Sequence, residues 1–140
     1  MARMLLGTAL LGALLLAAPT AGATAAGGCR PPLRPADEID LFLGRAKPSG
    51  AIVGERAMAR FLDEVVSPRF PDGLTVLDAY GEFRTATGAL FREPAKLVVL
   101  LVPDAAAVEG KIQAIIKAYK RRFSQNAVLR TEQRLCLDLG

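Results

Sequence analysis

"KLVVLLVPDAAAVEGKIQAIIKAYKRRF", residues 96–123, decides the fold. Its first part, 96–102, is an almost continuous apolar run. Strands of that kind lie in the middle of a sheet and are covered on both faces. Pro103-Asp104 stops the strand, and Asp104 is a good N-cap for a helix beginning at Ala105. Val108, Ile112, Ile115, Ile116, Tyr119 and Phe123 recur at helical spacing over 105–123. Lys117, Lys120, Arg121 and Arg122 crowd the last turn, where the helix dipole favours cations.

Downstream, "VLRTEQRLCLDL" (128–139) reads as a last strand, with Leu129, Thr131, Gln133, Leu135, Leu137 and Leu139 on one face. Upstream, "LTVLDAYGEFR" (74–84) alternates as a strand. Leu77, Ala79 and Phe83 share a face with Thr75 and Gly81, and Val76, Asp78, Tyr80, Glu82 and Arg84 share the other. Between this strand and 96–102 a three-residue turn, Ala86-Thr87-Gly88, puts glycine at the left-handed position such loops require. The register then opposes Phe83 to Phe91 and Glu82 to Arg92, both favourable pairs. Pro94 has no amide hydrogen, so a break or bulge is expected before Lys96.

Further upstream, "PRFPDG" (68–73) is a turn-rich connector. It comes after a helix at 55–66 whose stripe is Met58, Phe61, Leu62, Val65 and Val66. Ser67-Pro68 is expected to end that helix. "EIDLFLG" (38–44) is a short strand with Ile39, Leu41 and Leu43 on one face and Asp40 and Phe42 on the other. The order β-α-β-β-α-β predicts an α+β fold: a ferredoxin-like sandwich whose four-stranded antiparallel sheet has strand order 4-1-3-2, with two helices on one face.

"FLDEVVSPRFPDGLTVLDAYGEFR", Arg92-Glu93-Pro94 with "AKLVVLLVPD", and "IIKAYKRRFSQNAVLR" resemble an exported bacterial family catalogued as domain of unknown function 3574. The likeness runs over residues 38–139. It implies a small exported α+β domain, with one cysteine ahead of the first strand and another in the last. The family's first helix often carries a tryptophan, which this chain lacks. The family has no established activity, so the resemblance implies a fold and leaves the function open.

Residues 1–25 have a positive Arg3, an uncharged apolar stretch at 4–19 and small-residue A-x-A patterns, the layout of a secretory signal peptide. The apolar run is short for a spanning helix and is closed by Pro19. Residues 26–37, rich in Gly and Pro, read as a linker, and residues 38–140 as one domain. Cys29 and Cys136 are the only cysteines. Ala26-Gly27-Gly28-Cys29 is a weak lipobox, so Cys29 is either a lipid-attachment site or one half of a disulfide. The last strand runs antiparallel to the first, which brings Cys136 close to where 29–38 enters the sheet. An export route is also where disulfides persist. The expected location is periplasmic or secreted, with membrane contact only if Cys29 is lipidated.

With 18 Lys+Arg against 14 Asp+Glu, the net charge of +4 is too small to argue for nucleic acid as a partner. The absence of histidine removes Ser-His-Asp and Cys-His catalysis and the commonest metal ligand. No cofactor or metal is implied, and no catalytic residue is assigned. Two surfaces have a functional reading. The face carrying Asp78, Tyr80, Glu82 and Arg84, with Arg92 and Glu93 across the hairpin, is either a ligand patch or a solvated strand face laced with weak ion pairs. The sheet face away from the helices is expected to show Phe42, Tyr80, Val98, Leu100 and Val102. A patch of that size usually marks an interface, here a homodimer packed sheet to sheet. The first hypothesis is a non-catalytic binding or self-assembly module. The alternative is a small enzyme of the dimeric α/β-barrel type with a cavity on the sheet. Arg69 in "PRFPDG" and the "YKRR" cluster (119–122) read more simply as a rigid connector and as helix-end charge compensation.

Overall fold

A computed structural model describes residues 28–140; the expected signal peptide lies outside the described residues. Within them the chain runs β1 (Arg34–Gly44), α1 (Glu55–Phe61), β2 (Thr75–Arg84), β3 (Leu90–Val102), α2 (Ala105–Phe123) and β4 (Leu129–Leu137). The sheet is antiparallel throughout, in the order β2-β3-β1-β4, which is 4-1-3-2 read from the other edge.

Core residues of both helices (Met58 and Phe61 from α1; Ile112, Ile115, Tyr119 and Phe123 from α2) close over a single sheet face made by Ile39, Leu41, Leu43, Val98 and Leu100. Each such fully buried aliphatic side chain contributes about 1.5–3 kcal/mol relative to an exposed one. Phe61 makes edge-on contacts with Tyr119 (5.1 Å) and Phe123 (5.6 Å), so the two helices interlock through aromatic rings. Asp104 caps α2 by accepting from the Ala106 amide (2.9 Å), as its position implies. Asp37 of β1 accepts from the neighbouring free amide, Ala105 (2.8 Å), which ties the helix start to the sheet.

The hairpin register is the expected one: Phe83 opposes Phe91, Glu82 opposes Arg92, and Gly88 takes the left-handed φ of +83°. Four expectations are corrected. First, β1 starts at Arg34, so 34–37, read as linker, is strand paired with β4. Pro35 is tolerated there because only β4 flanks it; the β3 ladder begins at Asp37.

Second, β3 runs through Pro94 without a break. The Pro94 carbonyl accepts from the Arg45 amide (2.9 Å), one residue beyond the end of β1. A donor on Pro94 would face the Arg45 carbonyl, and that acceptor is already filled by the Val53 amide (2.8 Å). The proline therefore costs the ladder nothing at this point.

Third, the helical path does not stop at Ser67. It widens into a π-helical turn at Leu62–Val66 and tightens into a 3-10 turn at Ser67–Arg69, with Pro68 in the first turn of that segment. Arg69 folds back to donate to the Val65 carbonyl, a helix-end role in keeping with a rigid connector.

Fourth, the two faces of β3 are exchanged relative to expectation. Val98, Leu100 and Val102 are buried under the helices, and Leu97, Val99 and Leu101 face outward. An apolar strand covered by pattern on both sides does not say which parity meets the helices. Its pairing does: Val98 lies opposite Leu41, and Leu100 opposite Ile39.

Candidate functional site

Cross-strand partners share a face, so the registers define the uncovered side of the sheet. It carries Leu77, Ala79, Gly81 and Phe83 from β2, Phe91, Glu93, Ala95, Leu97, Val99 and Leu101 from β3, Phe42 and Gly44 from β1, and Leu129 from β4, with Thr75, Glu38, Asp40, Thr131 and Gln133 making the end near the start of β1 polar. Leu77, Phe83, Phe91, Leu101 and Leu129 are 46%, 51%, 38%, 50% and 60% exposed, so the apolar part of this face meets solvent.

One end of the face is concave. A cavity of about 760 Å³ lies between the sheet, the β2–β3 hairpin and the loops after β1 and α2. Phe42, Phe83, Phe91, Ala79, Ala95 and Leu129 give it an apolar lining. Glu93 brings a carboxylate into it and accepts a hydrogen bond from the Ala46 amide (3.0 Å). The glutamate lies across the strands toward β1: a β-carbon placed on Gly44 would sit 2.7 Å from both Glu93 carboxylate oxygens, and one on Gly81 3.6 Å from the Glu93 Cγ. Gly44 is therefore needed as glycine because the acid occupies the space a side chain would fill. On the far side of the sheet the Tyr119 hydroxyl donates to the Gly44 carbonyl (2.9 Å), fixing the backbone under the carboxylate. Burial pushes the Tyr119 hydroxyl pKa up, so the group stays a neutral donor.

The residues singled out from the sequence divide between the two sides. Phe42 lies on the open face and lines the cavity; Tyr80, Glu82 and Arg92 also contribute to its lining, at the edge strand and hairpin. Asp78 lies with the helices instead. It pairs with Lys96, which also binds Glu55 at the start of α1 (2.9 Å) and is only 12% exposed. Hydrogen bonding to Lys96 holds the Asp78 and Glu55 carboxyls below their usual range, and Asp78 and Glu55 push the Lys96 ammonium up. Arg45 adds a second cation to Glu55 and donates through Nε to the Val53 carbonyl (2.7 Å). Glu82 and Arg92 pair at 2.7 Å with both side chains about half exposed, the weak surface pair that such a position offers. Arg84 sits at the hairpin tip and donates to the Gly88 carbonyl (3.2 Å). Tyr80, expected beside Phe42, belongs by alternation to the opposite side of β2. Of the residues singled out from the sequence, Phe42, Tyr80, Glu82 and Arg92 border the cavity, and Glu93 enters the sequence reading only as a neighbour of Arg92. One signal points to it: in the hairpin register Glu93 opposes Gly81, so a long acid faces a residue without a side chain.

Cys29 is joined to Cys136, with a Cα–Cα distance of 5.6 Å, across the start of β1. That bond uses the sulfur a lipid would need. Among the described residues no helix is long and apolar enough to cross a membrane. No group of three or more His, Cys, Asp or Glu is placed to hold a metal ion among those residues.

The strand order and the helices on one face define a ferredoxin-like βαββαβ domain with one face of its sheet bare. The chain belongs to the family described as a protein of unknown function (DUF3574), whose model matches residues 38–139. No curated protein matches it. Among solved structures it is similar to a phage SAM lyase in complex with S-methyl-5'-thioadenosine, at 14% identity over 73% of this chain and 88% of that one, with a TM-score of 0.55. The apo state of a phage SAM lyase matches at 16% identity over 74% and 86%, also with a TM-score of 0.55. At this identity the likeness is one of fold.

Proposed function

We propose that the protein is an exported, non-catalytic binding module that associates with a second copy of itself through the bare sheet face. The observation that carries this reading is the run of half-exposed apolar residues on that face: Leu77, Phe83, Phe91, Leu101 and Leu129. Large contiguous apolar patches on soluble domains mark interaction sites, and a sheet face packs naturally against another by two-fold symmetry. The disulfide between Cys29 and Cys136 and the leader-like sequence at 1–25 support export. Light scattering on the mature chain at micromolar concentration tests the association. A dimer mass that falls to the monomer in Leu101→Glu is expected; a sharp monomer mass for the unaltered chain would overturn it.

A second reading, a small enzyme working in the cavity, is favoured by one observation. The fold is shared with a phage SAM lyase, and one of those structures holds S-methyl-5'-thioadenosine. Here a carboxylate, Glu93, stands in a cavity large enough for a small molecule. Incubation with SAM, with chromatography of the products, separates the readings. Consumption that disappears in Glu93→Gln would establish the enzyme; an unchanged SAM peak leaves the binding module.

A further inference from the structure

We infer that the cavity on the sheet face is a binding site for a small organic cation, with Glu93 as its counter-ion. The inference rests on the reading of this face as a binding surface and names the chemistry it would take. Glu93 is placed rather than free: the Ala46 amide holds one carboxylate oxygen (3.0 Å), and Gly44 leaves the room the carboxylate occupies. No cation lies within 4 Å of it among the described residues, although Arg45 and Arg92 are close by. Each of those is engaged elsewhere, Arg45 with Glu55 and the Val53 carbonyl, Arg92 with Glu82.

The rest of the lining is the surface a cation with an apolar body prefers. Phe42, Phe83 and Phe91 all border the cavity, and the Phe83 and Phe91 rings meet at 5.0 Å between centroids. Aromatic faces attract ammonium and sulfonium-type charges within about 6 Å, most strongly when water is excluded. A carboxylate beside aromatic rings discriminates by charge, whereas the apolar walls alone would accept neutral molecules equally. Lys47, one residue beyond Ala46, and Arg92 also line the cavity, so an anionic group on the same ligand would meet a cation there as well.

The probe is benzyltrimethylammonium, compared with 2-methyl-1-phenylpropan-2-ol, an uncharged molecule of nearly the same shape. Both are titrated into the mature, disulfide-bonded protein and monitored by amide NMR. The cation is expected to bind about tenfold or more tightly than the alcohol, and to move the Ala46, Gly44 and Gly81 amides. Glu93→Gln is expected to erase that preference with no change in far-UV circular dichroism. Gly44→Ala should do the same by displacing the carboxylate while leaving its charge in place. Equal affinity for the two probes would overturn the proposal. So would an unaltered preference in Glu93→Gln, or no shift at Ala46 with the cation in millimolar excess.

Leu101 is exposed on the same face and lies outside the cavity lining. Leu101→Glu therefore keeps the cation preference while it abolishes association. A monomeric unaltered chain that still prefers the cation would sink self-association and leave the site standing. A dimer whose Leu101→Glu monomer is indifferent to the cation would do the reverse.

Discussion

Two pairs of aromatic rings sit at the same separation on opposite sides of one sheet. Phe61 and Tyr119 meet at 5.1 Å under the helices, and Phe83 and Phe91 meet at 5.0 Å on the bare face. The first two are fully buried; Phe83 and Phe91 are 51% and 38% exposed. The local contact is alike, and the surroundings differ. On one side the chain supplies its own cover and the rings hold the fold together. On the other side the cover is absent, so the same kind of pair contributes little to the folded monomer and is available to something else. The difference lies between the faces: one ring pair is packed into the fold, and the other is left to solvent.

The sharpest test is to truncate one ring on each side. Phe61→Ala should cost about 3–5 kcal/mol, since it removes a large buried side chain and leaves a cavity between α1, α2 and β1. Phe83→Ala should cost under about 1 kcal/mol in the monomer, as expected for an exposed position. Urea denaturation of the monomer measures both. A comparable loss for the two would break the comparison.

The next largest effect concerns the staple. Replacing Cys29 and Cys136 with serine opens a link between residues 107 positions apart. A loss of about 2–5 kcal/mol is expected, largely through the greater freedom of the unfolded chain. Thermal melting of the double variant beside the unaltered protein reads it. Amide shifts around Phe83 and Glu93 should stay in place, because the staple lies at the other end of the sheet.

A smaller effect crosses from one face to the other. Tyr119→Phe removes the hydroxyl that holds the Gly44 carbonyl, at a cost of about 1 kcal/mol. Because Gly44 lies under the Glu93 carboxylate, the Ala46 amide should shift in the NMR spectrum as well. A loss of stability with no shift at Ala46 would show the two faces to be uncoupled there.

The smallest effect is electrostatic and is confined to the helix side. The Asp78 and Glu55 carboxyls are held low by Lys96, so what they contribute is present above the ordinary carboxylate range, near pH 4, and is lost as pH falls through their lowered folded values. The Lys96 ammonium is held high, so its share is present below about pH 10.4 and is lost as pH rises through the raised folded value. Lys96→Met should flatten the fall in melting temperature below about pH 4. An unchanged acid limb would count against this cluster.

Much of the fold is legible along the chain because it depends on near neighbours. Asp104 caps α2 through the amide two residues on, and Gly88 turns the hairpin through its own φ. The Phe83–Phe91 and Glu82–Arg92 pairs result once that three-residue turn is set. The site is less legible. Phe42 can be read from its place on β1, but Glu93 joins the cavity lining only when Gly44 at the end of β1 and Ala46 just after it come beneath its carboxylate, from nearly fifty positions away.

The order of elements, the antiparallel sheet, the hairpin register and the approach of the two cysteines can all be read from the chain. These rest on periodicity, turn chemistry and the fact that a last strand running against the first returns to its start. Tertiary structure alone decided which side of the apolar strand β3 lies under the helices, how Pro94 stays in the ladder and where the Glu93 carboxylate stands. Alternation says that two faces exist; only the partner strand and the helices packed on it choose between them. Val98 rather than Leu97 is covered because Leu41 lies beside it, and that single choice leaves Phe42, Phe83 and Glu93 facing outward.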